Sequence, residues 1–150
     1  MAIRLEAILE NLKAALEGIN GTGQYANVVK YVSRDFIPVE QLTSAQFPAV
    51  FLNVGPSDNV VADTEQVMDT PEIEVRVLVQ ARKDLSKALH SMVGDVYRAV
   101  MLDATRGALA MDTVPNGRAD VDETSLAPRG IAGALMLFRI PYHHALGNMD

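Results

Sequence analysis

A chain of 150 residues with no cysteine and a net charge of −6 at pH 7 fits one domain, large enough to bury roughly two-thirds of the surface that its unfolded form exposes. The missing cysteines exclude a disulfide scaffold, a thiol nucleophile and any thiolate metal site, and they agree with a reducing compartment. The 13 Lys and Arg residues are scattered, which speaks against gripping nucleic acid by phosphate neutralisation.

Residues Ile3–Glu17 place Leu5, Ile8, Leu9, Leu12 and Leu16 on one helical face, interleaved with Arg4, Glu6, Glu10, Lys13 and Glu17. This predicts an amphipathic helix rather than the unbroken apolar core of a signal peptide. Gly18 is expected to close it in the left-handed conformation. A turn over 20–24 and a strand over 28–33 follow, then a helical turn within Val39–Ala45. Residues 48–54 (PAVFLNV) read as a second strand, apolar on both faces and therefore interior, with Pro48 at its first position. Residues 55–71 are polar and are expected to extend as a hairpin arm beyond the sheet.

The clearest periodicity lies in EIEVRVLVQ (72–80), where Ile73, Val75, Val77 and Val79 share one strand face and Glu72, Glu74, Arg76 and Gln80 the other. Asp84 is a candidate N-cap for a second helix to about Asp103, with Leu85, Leu89, Met92, Val93, Val96 and Val100 on one face. A second long polar segment, 112–130, is expected to hold a short strand around Ala119–Val121. The final strand, 131–144, sets Leu135 and Leu137 on one face and Met136, Phe138 and Ile140 on the other. Burial under helices and loops explains its two apolar faces about as well as cover by a neighbouring subunit. The layout predicts an α+β fold: a single mixed or antiparallel sheet with two helices packed on one face and two long loops or hairpin arms, all in one domain over 1–150. No run approaches the roughly 20 apolar residues that span a bilayer, so a soluble protein without a membrane partner is expected.

Chemistry is hard to find. His143 and His144 are adjacent in a strand and point to opposite faces, so they cannot chelate one metal, and they read as a polar strand end. His90 has Ser86 and Gly94 one helical turn away rather than a second ligand. Ser33, Arg34 and Asp35 lack the surroundings of a nucleophile elbow. The glycines of GINGTG (18–23) follow a helix instead of a strand and precede no Walker lysine, so they form a turn rather than a phosphate cradle. Glu72 and Glu74 could share a cation, yet Arg76 continues their face and suffices to pair with them. No catalytic residue, cofactor or metal is expected. The one uneven charge feature is Asp58, Asp63, Glu65, Asp69, Glu72 and Glu74, a stretch without Lys or Arg that reads most simply as a solvated acidic loop.

The helix IRLEAILENLKAAL, the proline-led strand FPAVFLNVG, the strand IEVRVLVQAR running into DLSKALHSMVGDVYRAVMLD, and the closing strand ALMLFRIPYHH together resemble the tail terminator (tail completion) proteins of tailed bacteriophages, the lambda minor tail protein U group. The resemblance spans nearly the whole chain and is one of layout. It implies a virion protein, assembled in the host cytoplasm, that forms a homohexameric ring on the finished tail tube, stops its polymerisation and joins it to the head-closure or connector protein. DNA would only pass through the lumen. Under this resemblance Asp58, Asp63, Glu65, Asp69, Glu72 and Glu74 become candidates for an acidic pore rim that repels phosphates. Leu135, Leu137, Phe138, Arg139 and Tyr142 become candidates for the subunit interface, and 55–71 and 112–130 for loops that contact neighbours. Other readings are a different neck or tube ring protein, such as a head-closure or tail tube protein, or a small α+β enzyme or ligand-binding module.

Overall fold

The computed structural model describes residues 4–35, 37–61, 65–120, 129–145 and 147. Its elements run α1 (Arg4–Glu17), β1 (Tyr31–Ser33), two 3-10 turns (Val39–Gln41 and Ser44–Gln46), β2 (Ala49–Val61), β3 (Gln66–Gln80), α2 (Leu85–Met101), β4 (Val114–Asp120), β5 (Ile131–Arg139) and β6 (Tyr142–Ala145). All six strands join one sheet in the order β1-β2-β3-β5-β4, with β6 beside the outer part of β3. β1 runs parallel to β2 and the other pairings are antiparallel, so the sheet is mixed and the fold is α+β.

The alternation along β3 does what its period dictates. Ile73, Val75, Val77 and Val79 are sealed beneath Ile8, Leu9, Leu12 and Leu16 of α1 and Leu89, Met92, Val96 and Val100 of α2. Val50 and Leu52 of β2 and Ala134, Met136 and Phe138 of β5 complete this layer. Each large side chain so buried contributes roughly 1.5–3 kcal/mol of transfer free energy, which makes this layer the main source of stability. A smaller cluster of Leu42, Phe47, Ala49, Phe51, Leu78 and Ile131 covers one end of the opposite face, under the segment with the 3-10 turns.

Residues 55–61 and 66–71 form the two strands of the expected arm. The β2–β3 ladder continues from Ser57↔Pro71 to Val61↔Val67 after a bulge between Val54 and Ser57 that takes in Gly55 and Pro56. Proline cannot donate to a ladder, and the extra residue turns the strand locally, so the arm leaves the sheet body at this point. β4 repeats the device: a bulge between Pro115 and Arg118 brackets Asn116 and Gly117, and Gly117 has φ +108°.

Several expectations shift. Gly18 closes α1 without entering the left-handed region; its amide donates to the carbonyls of Ala14 and Ala15. Asp84 precedes α2 with φ +53° and makes no side-chain capping bond. The expected strand at 28–33 keeps only Tyr31–Ser33, with Val28 in an isolated bridge to Asn20. The short strand anticipated at 119–121 starts earlier, at Val114, and Val121 lies outside the described residues. The closing strand is two: Pro141 interrupts it, the Ile140 amide donates to Pro71, and β6 then pairs with the arm at Gln66–Asp69.

Candidate assembly surface

The sheet face away from the helices carries the candidate residues. Cross-strand partners share a face, so the pairings Asn53↔Glu74↔Leu137 and Phe51↔Arg76↔Leu135 lay these six side chains side by side. Glu72 stands opposite Arg139 in the next row, and Asp58, opposite Thr70, continues the same face onto the arm. Asn53 Nδ2 donates to Glu74 Oε2 at 3.0 Å, and Asn116 Nδ2 reaches across from β4 to Glu72 Oε2 at 2.9 Å. A cleft of about 220 Å³ opens here, lined by Arg34, Phe51, Leu52, Asn53, Glu74, Arg76 and Leu135.

Arg34 closes the β1 end of this surface. Its Nη1 and Nη2 donate to the two oxygens of Glu6 at 2.7 and 3.0 Å, and Nη1 also donates to Glu10 at 3.0 Å. The hydrogen bond from Arg34 holds the Glu6 carboxyl below its ordinary range, and Glu6 in turn raises the guanidinium further. Glu6 and Glu10, one helical turn apart on α1, were a visible signal for a shared cation, but the partner lies 24 and 28 residues away in sequence.

The six carboxylates from Asp58 to Glu74 do not form one surface. Glu72 and Glu74 are half-buried on the open face, Asp58 and Glu65 are exposed on the arm, and Asp63 lies outside the described residues. Asp69 points the other way and is only 5% exposed. It accepts hydrogen bonds from Ser57 Oγ and, at 3.1 Å, from Tyr142 Oη, with His144 Nε2 4.0 Å away. It therefore ties β2, β3 and β6 together at the base of the arm. Burial, then the neighbouring Asp69 charge, pushes the Tyr142 phenol well above its usual range.

The candidate interface residues divide in the same way. Leu135 and Leu137 stand half-buried on the open face and Arg139 is exposed, whereas Phe138 and Tyr142 are sealed in the core of the subunit itself. His143 and His144 are not a loose polar end: both are partly buried, and the His143 carbonyl accepts from Arg4 Nη1 at 3.2 Å. Among the described residues no group of three His, Asp or Glu side chains could hold a metal ion, and no helix is long and apolar enough to cross a membrane.

Among the described residues, two buried charged groups escaped sequence reasoning. Asp95 of α2, fully buried, accepts from the backbone amides of Ala26 and Asn27 at 3.0 and 2.8 Å, from Asn27 Nδ2 at 2.8 Å and from Arg98 Nη1 at 3.0 Å. It anchors the loop between α1 and β1. Arg106, also fully buried, donates to the carbonyls of Val100 and Asp103 at the end of α2, and burial lowers its pKa.

No protein-family model matches the chain, and no curated protein matches its sequence. In three dimensions it is similar to a chain of the solved virion of a native gene transfer agent particle, over 95% of this chain and 96% of that one, with a TM-score of 0.52 and 14% sequence identity. At that identity the likeness establishes a shared fold over nearly the whole length of both chains.

Proposed function

We propose that the chain is a structural protein of a phage-like virion, a tail terminator that forms a ring, most simply a hexamer, on the end of the tail tube, stops tube growth and meets the head-closure or connector protein. The observation that carries this reading is the match of fold over nearly the full length of both chains to a component of a gene transfer agent virion. The surface supports it. A half-apolar open face with Leu135, Leu137 and Arg139 suits contact between subunits, and the arm suits contact with an adjacent ring.

Carboxylates give the ring a lumen that DNA can cross without sticking. Glu72 and Glu74 on the open face carry this role, with Asp58 and Glu65 continuing it on the arm. Charges act on passing phosphates only within about 8 Å at physiological salt, so these side chains must line the channel itself. An assembled ring with Glu72 and Glu74 on its outer wall would refute the lumen role.

Electron microscopy of the purified protein, with and without tail tubes, tests the function. Discrete rings that cap tube ends are the expected result. An open-ended polymer would reassign the chain to the tube, and a protein that stays monomeric even in the presence of tubes would overturn the reading.

A further inference from the structure

At the end of the sheet opposite the arm, where β3 runs out toward α2, the Ala81 amide donates to the Gly130 carbonyl at 2.8 Å. Gly130 has φ +67°, and a Cβ there would lie 2.6 Å from the Ala81 carbonyl oxygen, so only glycine lets the two segments close this tightly. Arg82 and Arg129, the next residues outward on either side of this bridge, share one cleft of about 440 Å³, which Ser44, Gln80 and Ala81 also line.

Arg129 is held in place: Gln80 Nε2 donates to its carbonyl at 3.1 Å, and its own Nη1 donates to the Val39 carbonyl at 3.3 Å. Arg82 is exposed, and among the described residues no side chain or carbonyl makes a hydrogen bond or ion pair with its guanidinium. Asp84 and Glu40, the acidic groups of the adjoining described segments, pair with neither arginine. Lys83 follows Arg82 directly and Lys87 stands in the first turn of α2, both exposed. That turn has no acidic residue and no side-chain cap, so the amides at the start of α2 add to the positive potential of this end. Two guanidinium groups kept at one cleft repel each other unless an anion comes between them.

Charge selects the occupant. The chain carries a net charge of −6, and at the far end of β3 Asp58, Glu65 and Glu72 make the arm side acidic, so the subunit is electrically polar along its strands. Arg82, Lys83, Lys87 and Arg129 form a small basic island on an acidic protein. Duplex nucleic acid needs many phosphates neutralised at once on one surface, and the net charge of the chain repels it. A few carboxylates suit the island better, because guanidinium groups grip them through paired N–H donors, and the Ser44 hydroxyl adds a neutral donor beside them. We infer that this cleft docks an Asp- and Glu-rich segment of another protein, with carboxylates bridging Arg82 and Arg129. The inference concerns the single subunit and does not depend on the ring. It gives the end of the subunit away from the arm a partner of its own, one with acidic chemistry.

Binding of a fluorescently labelled oligoglutamate peptide to the full-length protein, followed by anisotropy, tests it. Saturable binding that weakens as salt is raised is the expected result. Arg82→Glu/Arg129→Glu is expected to weaken it at least about tenfold, whereas Lys13→Glu/Lys30→Glu, the same change of net charge elsewhere, leaves it within about twofold of the wild type. Arg82 makes no hydrogen bond or ion pair within the described chain, so Arg82→Glu alone decides the matter if the double variant fails to fold. Absence of saturable binding, equal losses in the two double variants, or tighter binding of a duplex DNA oligonucleotide than of the peptide overturns the inference. None of these results touches the proposed function, which rings of the wild type on tube ends decide.

Discussion

Along β3, Ile73, Val75, Val77 and Val79 are sealed under two helices, while Glu72, Glu74, Arg76 and Gln80, one residue out of step, stand half-buried on the other side. The first set has every neighbour it needs inside the chain. The second set makes polar contacts instead: Asn53 and Asn116 donate to Glu74 and Glu72, and Gln80 donates to the Arg129 carbonyl. One face of the sheet thus carries the main core, and the other, outside its smaller cluster of Leu42, Phe47, Ala49, Phe51, Leu78 and Ile131, is left partly open. A substitution tells the two apart by whether it moves folding or assembly.

The largest contrast is expected between Ile73→Ala and Leu137→Ala. Removing Ile73 from the core should cost about 2–5 kcal/mol, and the half-buried Leu137 about 1 kcal/mol or less, both read from the denaturant midpoint. Equal losses would mean that the open face is core after all. Next, Asp95→Ala should cost about 3 kcal/mol, since it strands two backbone amides and the Asn27 amide. Hydrogen exchange at Ala26 and Asn27 should accelerate with it; unchanged protection there would show that the loop does not depend on this carboxylate.

At the base of the arm, Tyr142→Phe deletes one hydrogen bond to Asp69 without changing shape much, and a loss of about 1 kcal/mol is expected. The smallest effect belongs to Glu6. Its folded-state pKa lies below its unfolded value, so its ion pair stabilises the subunit above about pH 4.3 and that stabilisation is lost as pH falls through the depressed folded value. The pair is half exposed, so solvent screening keeps the contribution below about 1 kcal/mol. Thermal midpoints of wild type and Glu6→Gln should converge toward acid pH; a constant gap would show that charge is not the cause.

What could be read from the residues follows the same division between faces. The β3 alternation and the apolar stripe of α2 are local patterns, and both elements form where the periodicity puts them. The arm was also legible, because polar residues on either side of a proline between two strands leave few other options. β4 was not: VPNGRAD has no alternation, since the strand lies at the sheet edge with exposed side chains and is held by its ladder to β5. The acidic stretch looked like one surface because sequence proximity hides strand alternation and distant partners. Asp69 differs from Glu72 and Glu74 by an odd offset, and its ligands Ser57 and Tyr142 lie 12 and 73 residues away. Asp95 was hidden for the same reason, its amide donors being 68 and 69 residues distant.

The prolines at the two bulges carry a further consequence. Among the described residues β4 ends the sheet on one side, and beyond Phe51 nothing pairs with the outer side of β2; strand edges of this kind can stack into fibrils. Pro56 and Pro115 each lack an amide donor, and the bulges at these positions twist the strands out of plane. Ladder-to-ladder growth without end is thereby blocked at both rims. Folded chains at high concentration are thereby kept from extending one another's sheets into amyloid.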